Sequence, residues 1–208
     1  MSLLKRLFGE RAPASSAAAT ALAAEDGAQP AGSAPADPLD PPIDAKSMTD
    51  IVHVDEVADA EFYAGDLFRR RFRHDPPAFP RHFVAFYREG RTRYRPVGYV
   101  HYSPFEDSFL CGGMVIDDRL YRRIPAPHRA VIKDAGGIAE RMLRETFARL
   151  AAAPAIWGYV GDKQAEAVDV RAGFLHTHHP HVMVVWNHDL PEADKAARVE
   201  RVIALGPF

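Results

Sequence analysis

Four histidines lie within six positions in the stretch GFLHTHHPHVMVVWN, and they are His176, His178, His179 and His181. A zinc or nickel site needs three or four imidazoles that converge on one point. Alternation along a strand puts His176 and His178 on one face, whereas His179, Pro180 and His181 fall in the turn of the hairpin that the flanking apolar runs predict. All four rings therefore cannot converge, and we expect no metal. Exposed imidazoles at a hairpin tip are the simpler interpretation.

A second stretch that could form a binding site is KDAGGIAERML, in which a glycine pair leads directly into a helix. Glycine leaves backbone N–H groups open at the start of a helix, and the helix dipole adds partial positive charge to them. Such a helix end suits a phosphate group. Helices that begin with glycine also occur where nothing binds, so this pattern needs support from its surroundings.

The elements that must position these stretches alternate along the chain. Strand patterns occupy 50–57, 81–89, 96–104, 108–117, 155–161 and the two arms of the hairpin, and helix patterns occupy 58–74, 137–153 and 162–173. The helix at 137–153 joins the strands at 108–117 and 155–161, which is typical of a parallel crossover. The sequence therefore predicts an α/β (α+β) fold with a mostly antiparallel twisted sheet, a central parallel crossover and helices on both faces.

Two segments beside the crossover differ from plain strands and helices. The run SFLCGGMVID is apolar on both faces and contains Gly112 and Gly113, which predicts a central strand with a bulge or a close backbone approach. Its Cys111 is either a small buried hydrophobe or a reactive thiol. The proline-broken segment 118–136 predicts a long loop with a short helix at 127–133, and loops of this length are usually functional.

Composition and charge exclude several classes of protein. The 208 residues carry a formal net charge of −2 and one cysteine. No overall basic field therefore recruits nucleic acid, no intrachain disulfide can form, and a cytoplasmic location fits. No run approaches the ~20 apolar residues that cross a bilayer.

The chain divides into four regions by composition. Residues 1–11 predict a short amphipathic segment that either contacts a membrane surface or a protein partner, or is a frayed terminal turn. Residues 12–49 are rich in Ala, Pro, Ser and Gly and predict a disordered linker, because they cannot bury enough apolar surface to offset their ordering entropy. We expect the folded domain at 50–190 and an amphipathic helix at 191–208.

The stretches KDAGGIAERML and QAEAVDVRAGF (164–174) together resemble motifs of the GNAT acyltransferase superfamily. That family carries Arg/Gln-x-x-Gly-x-Gly/Ala before its main helix, and a later helix of the form A…lYek.GF that leads into a strand. The positions aligned with the first motif are Asp134, Ala135, Gly136, Gly137, Ile138 and Ala139. The resemblance covers residues 50–187, with the strands and helices in the same order.

The resemblance implies a site for acyl-CoA as co-substrate, with acetyl-CoA the expected form. The pyrophosphate would rest on the loop and first helical turn, with further contacts from the end of the preceding segment and the start of the next helix. These cofactor-binding positions are Lys133, Gly136, Gly137, Ile138, Ala139 and Asp162. The pantetheine would lie between two separated parallel strands, where backbone groups of Val115 and Ile116 would pair with it and orient the acyl carbonyl.

The resemblance also implies catalytic positions. Asp169 stands where many members of the family carry the tyrosine that protonates the leaving thiolate. His101, Glu106 and Asp107 lie on or beside central strands, where the family often places a general base. Tyr159, on the strand after the main helix, is a further candidate proton donor.

Two departures from the family pattern bear on function. Asp134 replaces the usual arginine or glutamine, and as a helix N-cap its carboxylate would occupy the N–H groups that a phosphate needs, although Lys133 could offset part of this charge. Asp169 replaces the tyrosine, and an ionised carboxylate cannot donate a proton.

The sequence therefore predicts an N-acyltransferase that moves an acyl group from acyl-CoA to an amine of a small molecule or a protein. The histidine hairpin would border the acceptor pocket and contact the acceptor. The alternative is a GNAT-like domain that has lost catalysis and acts as an interaction or regulatory module. A histidine-rich metal-binding protein is the third hypothesis.

Overall fold

The structure, a computed structural model, describes residue 41 and residues 43–78 and 80–208. Within these residues the chain forms eight strands: β1 (Val52–Val57), β2 (Arg81–Arg88), β3 (Tyr94–Phe105), β4 (Ser108–Cys111), β5 (Val115–Ile116), β6 (Ala155–Tyr159), β7 (Leu175–His176) and β8 (Val182–Trp186). It also forms six α-helices: α1 (Ala60–Phe72), α2 (Asp118–Arg123), α3 (Ala126–Asp134), α4 (Ile138–Arg149), α5 (Lys163–Ala172) and α6 (Glu192–Leu205).

The strands form one sheet in the order β1-β2-β3-β4-β6-β8-β7, and β5 pairs with β3. Among the described strands, β4 and β6 are the one parallel pair, with Leu110 opposite Trp157. Parallel neighbours need a crossover connection, and the segment that contains α2, α3 and α4 supplies it. The predicted fold class, a mostly antiparallel sheet with a central parallel crossover, is confirmed.

One face of the sheet is covered by α4 and α5. The apolar side of α4 contributes Met142, Leu143 and Phe147, which are buried in one cluster with Ile156 of β6 and with Phe174, two residues after α5. The rings of Phe147 and Phe174 meet edge to face, with centroids 5.1 Å apart. Full burial of a side chain of this size is worth about 1.5–3 kcal/mol. This packing holds α4 and α5 against the central strands of the sheet.

The opposite face is covered by α1 and α6. Phe68 of α1 packs on Tyr99 of β3, with ring centroids 5.3 Å apart. Val202 of α6 packs in a separate cluster on Trp157 of β6. Successive residues of a strand point to opposite faces, which is why Trp157 lies under α6 while its neighbour Ile156 lies under α4.

In the segment 118–136 the predicted short helix at 127–133 is present, but part of the predicted loop is helical as well. The segment forms the two helices α2 and α3. The carboxylate of Asp117 caps α2 by accepting hydrogen bonds from the backbone N–H groups of Arg119 and Leu120. Proline is tolerated in the first turn of a helix because the N–H that it lacks has no partner there. Pro125 and Pro127 therefore mark the start of α3 rather than interrupt it.

The residues just before β1 already contact the core. Met48, in a short 3₁₀ turn, is buried, and Ile43 packs against the same cluster. The predicted amphipathic segment 1–11, and the predicted linker up to residue 40, lie outside the described residues, so the division of the chain at these boundaries stays a prediction. The predicted C-terminal helix is present as α6. In the described part of the chain, we find no helix with the length and apolar character needed to span a bilayer.

Candidate functional site

Strands β4 and β6 stop pairing in the middle of the sheet. Their parallel register ends at Cys111 opposite Gly158, and beyond that point β5 pairs only with β3. Tyr102 of β3 stands opposite Cys111, whereas Tyr99 stands opposite Val115, so the chain has gained one residue between these two pairs. This extra residue is the bulge that the CGG sequence predicts. The bulge opens a gap between two strands that otherwise would pair.

Backbone groups of β5 face this gap. The N–H of Asp117 donates to the carbonyl oxygen of Val97 at 2.8 Å, and antiparallel pairs alternate between bonded and non-bonded positions. Ile116, opposite Gly98, therefore directs its N–H and C=O away from β3 and into the gap. Val115 directs its own groups at Tyr99. Of the two predicted pantetheine contacts, the structure places Ile116 with its backbone groups toward the gap.

The glycine pair forms a sharp turn between α3 and α4. Gly136 and Gly137 have φ angles of 92° and 93°, a conformation that only glycine adopts without strain. The N–H of Gly137 donates to the carbonyl oxygen of Ile132 at 2.9 Å, which closes the end of α3. The chain then reverses direction and starts α4 at Ile138.

The start of α4 carries no side-chain cap. Gly137 is the N-cap residue, and no side chain of the described residues accepts a capping hydrogen bond there. Asp134 was expected as a possible N-cap, and this expectation is wrong because it ends α3 and is exposed. The N–H groups of Ile138 and Ala139 are thus left for an anion, as a helix start without a cap allows. Lys133 is exposed in the last turn of α3.

A carboxylate that sequence reasoning did not single out lies beside this turn. A Cβ atom at Gly136 would lie 2.6 Å from Oε2 of Glu140, so glycine is required for this close approach. Glu140 is buried and accepts hydrogen bonds at 2.9 Å from both Arg144 and Arg171. Desolvation works against its charge, but the two guanidiniums hold its pKa below the ordinary value. Two cations therefore surround one carboxylate next to the uncapped helix start.

Asp162 has a structural role at the start of α5. Its Oδ1 accepts hydrogen bonds from the backbone N–H groups of Gln164 at 2.8 Å and of Ala165 at 2.9 Å. This is the N-cap that the sequence predicts. Its predicted contact with acyl-CoA stays a prediction.

Asp169 is buried on α5, on the face of the sheet that α4 covers. Its carboxyl is 6% exposed, and burial, with a smaller contribution from the charge of Glu166, raises its pKa to about 7. Its negative charge also raises the pKa of Cys111, which places the carboxyl near the last paired residue of β4. At neutral pH the protonated and the ionised forms of the Asp169 carboxyl are therefore both populated. The objection that an aspartate here cannot donate is therefore removed.

The surroundings of Cys111 favour its thiol form. Burial raises the pKa of its thiol to about 12, and the thiolate is the reactive form. Its neighbour Tyr102 is fully buried, and its hydroxyl is hydrogen-bonded to Oγ1 of Thr146 at 2.6 Å. Cys111 is half-buried, and its raised pKa favours the interpretation as a small apolar residue over that as a reactive thiol.

His101 lies on the opposite face from Asp169. Its ring packs near Phe68 of α1 and Tyr99, with centroids 5.9 Å from each. It also covers Gly112, where a Cβ atom would lie 2.0 Å from Nε2. The sheet therefore separates His101 and Asp169. They lie close to adjacent residues of the chain, because His101 covers Gly112 and Asp169 is near Cys111.

The remaining candidate catalytic residues, Glu106, Asp107 and Tyr159, have different partners. Glu106 is bonded to Arg201, and Asp107 to Arg198, both of α6. The guanidinium of Arg198 lowers the pKa of Asp107 to about 2, which makes this carboxylate a poor proton acceptor. These two pairs fasten α6 to the turn between β3 and β4. Tyr159 packs on His181, with ring centroids 5.5 Å apart.

The four histidines of the hairpin point to different partners. Nε2 of His176 lies 3.5 Å from Glu166, and Nε2 of His178 lies 3.1 Å from Glu200. The ring centroids of His179 and His181 are 5.9 Å apart. Across residues 41, 43–78 and 80–208, no three His, Cys, Asp or Glu side chains are grouped as metal ligands would be.

The tautomer of His181 follows from its contacts. Its Nδ1 lies 2.8 Å from the carbonyl oxygen of Val160. A carbonyl oxygen can only accept, so Nδ1 carries a hydrogen and Nε2 of the neutral ring keeps its lone pair. Val160 directly follows β6, at the end where β6 leaves β4. No pattern in the sequence could single out His181 from the other three, because the carbonyl that orients it is 21 positions away.

Comparison with known proteins found similar solved structures at low sequence identity. No family model and no curated protein matches the chain. Among 27 matching solved chains, an E. coli protein, YhhK, named as an N-acetyl transferase and bound to coenzyme A, is 12% identical over 65% of this chain and 98% of its own, with a TM-score of 0.44. A GNAT family acetyltransferase from Brucella melitensis in complex with acetyl-CoA is 14% identical over 67% and 91%, with a TM-score of 0.40.

A third similar structure is that of a KacTA–DNA complex, at 16% identity over 72% of this chain and 99% of the other, with a TM-score of 0.38. The strand order, the central parallel pair and its separation next to a glycine turn agree with the resemblance that the motifs indicated. The observed mixed α/β fold is therefore similar to those of acetyltransferases, at low sequence identity.

Proposed function

We propose that this protein transfers an acyl group from acyl-CoA to an amine. One observation carries the proposal: the gap between β4 and β6 opens beside the uncapped start of α4. The helix start offers N–H groups to a diphosphate, and Ile116 offers backbone groups to an extended amide-containing arm. These two features match the two chemically different halves of coenzyme A. Acetyl-CoA is the expected donor, and the acceptor is an amine of a small molecule or a protein.

The reaction needs one proton acceptor and one proton donor. The amine nitrogen attacks the thioester carbonyl, the C–N bond forms and the C–S bond breaks. A base takes the proton that the nitrogen loses, and an acid returns a proton to the leaving thiolate. A backbone N–H aimed at the carbonyl oxygen would stabilise the tetrahedral intermediate, and we assign that role to Ile116. Protonated Asp169 supplies the acid, because its pKa near 7 leaves it able to donate.

Two imidazoles compete for the role of base. His181 has the stronger case, because the carbonyl of Val160 holds its ring and leaves the lone pair on Nε2. His101 is nearly buried among aromatic rings. Both stay proposals, together with the contact of the histidine hairpin with the acceptor.

Replacing His181 with alanine is expected to lower kcat about 100-fold, the usual contribution of a positioned base. Steady-state rates of CoA release with an amine acceptor measure it, and the KM for acyl-CoA should change little because the ring lies on the acceptor side. His188→Ala, at an exposed histidine two residues after β8, should leave the rate unchanged. If His181→Ala keeps the parent rate while His101→Ala loses it, the base is His101.

Acyl-CoA binding itself is tested at the first turn of α4. Ala139→Glu places a carboxylate among the open N–H groups. It should weaken CoA binding about tenfold or more, because the carboxylate and the diphosphate of CoA repel each other. Pantetheine, which lacks the diphosphate, should bind both proteins equally. Calorimetric titration gives both affinities. Ala148→Glu, at an exposed position near the other end of α4, is the matched control and should bind CoA like the parent.

A second candidate function is a GNAT-like interaction or regulatory module without catalysis. The position of Glu140 favours it, because its carboxylate already lies beside the turn where a phosphate would bind. Absence of detectable CoA binding to the parent protein at millimolar concentration would favour this module and reject the transferase.

Several expectations from the sequence stay proposals. They are the cytoplasmic location, the absence of nucleic acid among the partners, and contact of residues 1–11 with a membrane surface or a protein.

A further inference from the structure

A recess far from the strand gap lies between α1 and the edge of the sheet. It is bordered by His53 and Asp55 of β1, Tyr63 of α1, Phe86 of β2 and Tyr94 of β3, and its volume is about 380 Å³. β1 is the outer strand of the sheet and pairs only with β2 among the described strands. The gap between β4 and β6 is three strands further in. The acyl-transfer proposal uses none of these five residues.

Aromatic rings form the walls of the recess. Tyr63 meets Phe86 edge to face at a centroid distance of 5.4 Å, and Tyr94 meets His53 in the same manner at 5.7 Å. Tyr63 is 39% exposed and Tyr94 is 46% exposed. Phe62, 77% exposed, extends this surface next to Tyr63. Large aromatic side chains grouped at a surface usually mark a binding site.

Two polar groups in the recess are incompletely satisfied. Oδ1 of Asp55 has a loose contact of 3.5 Å with Arg149, and its side chain is 62% exposed. Nε2 of His53 is buried and has no hydrogen-bond partner among the described residues. Arg88 lies over the ring of Tyr94, 6.0 Å from its centroid, so this ring already carries a cation of the protein itself.

We propose that the recess binds an alkylammonium ion. The rings of Tyr63 and Phe86 attract a cation through their quadrupoles, Asp55 neutralises its charge, and the N–H groups of the ion can donate to the carboxylate of Asp55. The alkyl chain packs on the rings. An anion would face Asp55, and a neutral ligand would gain no attraction from the charge of the carboxylate. This site is independent of the acyl-transfer proposal.

The test uses the whole chain and n-butylammonium chloride, with sodium chloride at equal ionic strength as the reference. Amide chemical shifts in nitrogen–proton spectra should move at Tyr63 and Tyr94 in a saturable manner. The neutral probe 1-pentanol has a similar length and should bind about tenfold more weakly, since a cation–π cluster with a carboxylate is worth about 1–2 kcal/mol. Equal affinity for the two probes would overturn the proposal.

Variants locate the site. Asp55→Asn and Tyr63→Leu should each weaken n-butylammonium binding about fivefold or more. Both side chains are partly exposed, so the fold tolerates the changes. Asp118→Asn, at an exposed carboxylate of α2 whose side chain is 73% exposed, should bind as the parent does. An unchanged affinity in Asp55→Asn, or an equal loss in Asp118→Asn, would also overturn the proposal.

The source of the ammonium group is distinguished by a second probe. A tripeptide with a central lysine and blocked ends carries the same butylammonium group. If it binds as tightly as the free amine, the recess accepts lysine side chains of proteins. If only the free amine binds, the recess selects small amines. Either result supports an alkylammonium site, and saturation by neither probe rejects it.

Discussion

Replacing Asp169 with asparagine is expected to stabilise the protein above pH 7 and to slow acyl transfer about 100- to 1000-fold. Both effects follow from the burial of this carboxyl, which raises its pKa from the ordinary 3.8 to about 7. Asparagine fills the same space without a charge, so it removes the cost of ionisation in the folded state. It also lacks the proton that the leaving thiolate needs, and a general acid usually contributes at least this factor.

The stability effect has a defined dependence on pH. Between about pH 4 and pH 7 the folded protein holds a proton on Asp169 that the unfolded chain has lost, so the stability of the parent falls as pH rises through this window. The parent therefore loses stability relative to the asparagine variant as the pH rises. Each unit of pKa shift corresponds to about 1.4 kcal/mol. The variant should gain about 2.5 kcal/mol on the parent between pH 5 and pH 8.

Urea unfolding at both pH values measures this difference. Asp107→Asn is the matched control, because the pKa of Asp107 is lowered to about 2 by Arg198. Its carboxyl is ionised in both the folded and the unfolded state between pH 5 and pH 8, so the stability difference between this variant and the parent should not change. If the difference between Asp169→Asn and the parent is also constant, Asp169 has no raised pKa and the acid must be another group.

The kinetic effect separates an acid from a merely structural residue. The rate of the parent should fall as pH rises through about 7, because Asp169 loses its proton there. The asparagine variant should lack this fall over the same range, and its KM for acyl-CoA should stay within about threefold of the parent. Initial rates of CoA release against pH supply both quantities. A slow variant that keeps the fall at pH 7 would contradict the role of Asp169 as acid.

Replacing Gly112 with alanine is expected to destabilise the protein by about 2–3 kcal/mol, a typical cost of overpacking. The added Cβ would lie 2.0 Å from Nε2 of His101. The imidazole cannot simply turn away, because Phe68 and Tyr99 pack around it. The N–H of Gly112 donates to the carbonyl of His101 at 2.8 Å, so a backbone shift would also strain the bulge that opens the gap.

A double-variant cycle tests the cause of this loss. His101→Ala removes the ring that the new Cβ would meet, so adding Gly112→Ala to that background should cost much less, about 1 kcal/mol or below. Urea unfolding of the parent, the two single variants and the double variant gives the coupling energy. Equal costs in both backgrounds would show that Gly112 is required by the backbone and not by the ring of His101.

The sequence was a good guide to the elements that local chemistry fixes. The apolar stripe of α4, the cap of α5 by Asp162 and the glycine that ends α5 are all present as predicted. Each depends on residues a few positions apart, whose spacing is visible in the chain. In the segment 118–136 the short helix at 127–133 was predicted correctly and is part of α3. The helix α2, which precedes it, was wrongly predicted as loop.

The sequence was a weaker guide to the protonation state of the candidate catalytic carboxyl groups. Asp169 and Asp107 are the same residue type, yet burial raises the pKa of one to about 7 and an arginine lowers the pKa of the other to about 2. Arg198 is 91 positions from Asp107, so no local pattern could pair them. The Oδ atoms of the two aspartates differ in chemistry only because folding gave them different neighbours.

By itself, the sequence determined the order of strands and helices, the parallel crossover, the bulge after Cys111 and the glycine start of α4. These features follow from periodicity, capping and the backbone freedom of glycine, all of which act over short distances. Tertiary structure alone decided that Glu140 lies beside Gly136, that Val160 orients His181, and that the sheet separates His101 from Asp169. Solvent exclusion and hydrogen bonding between distant segments set these relations, and they exist only once the chain has folded.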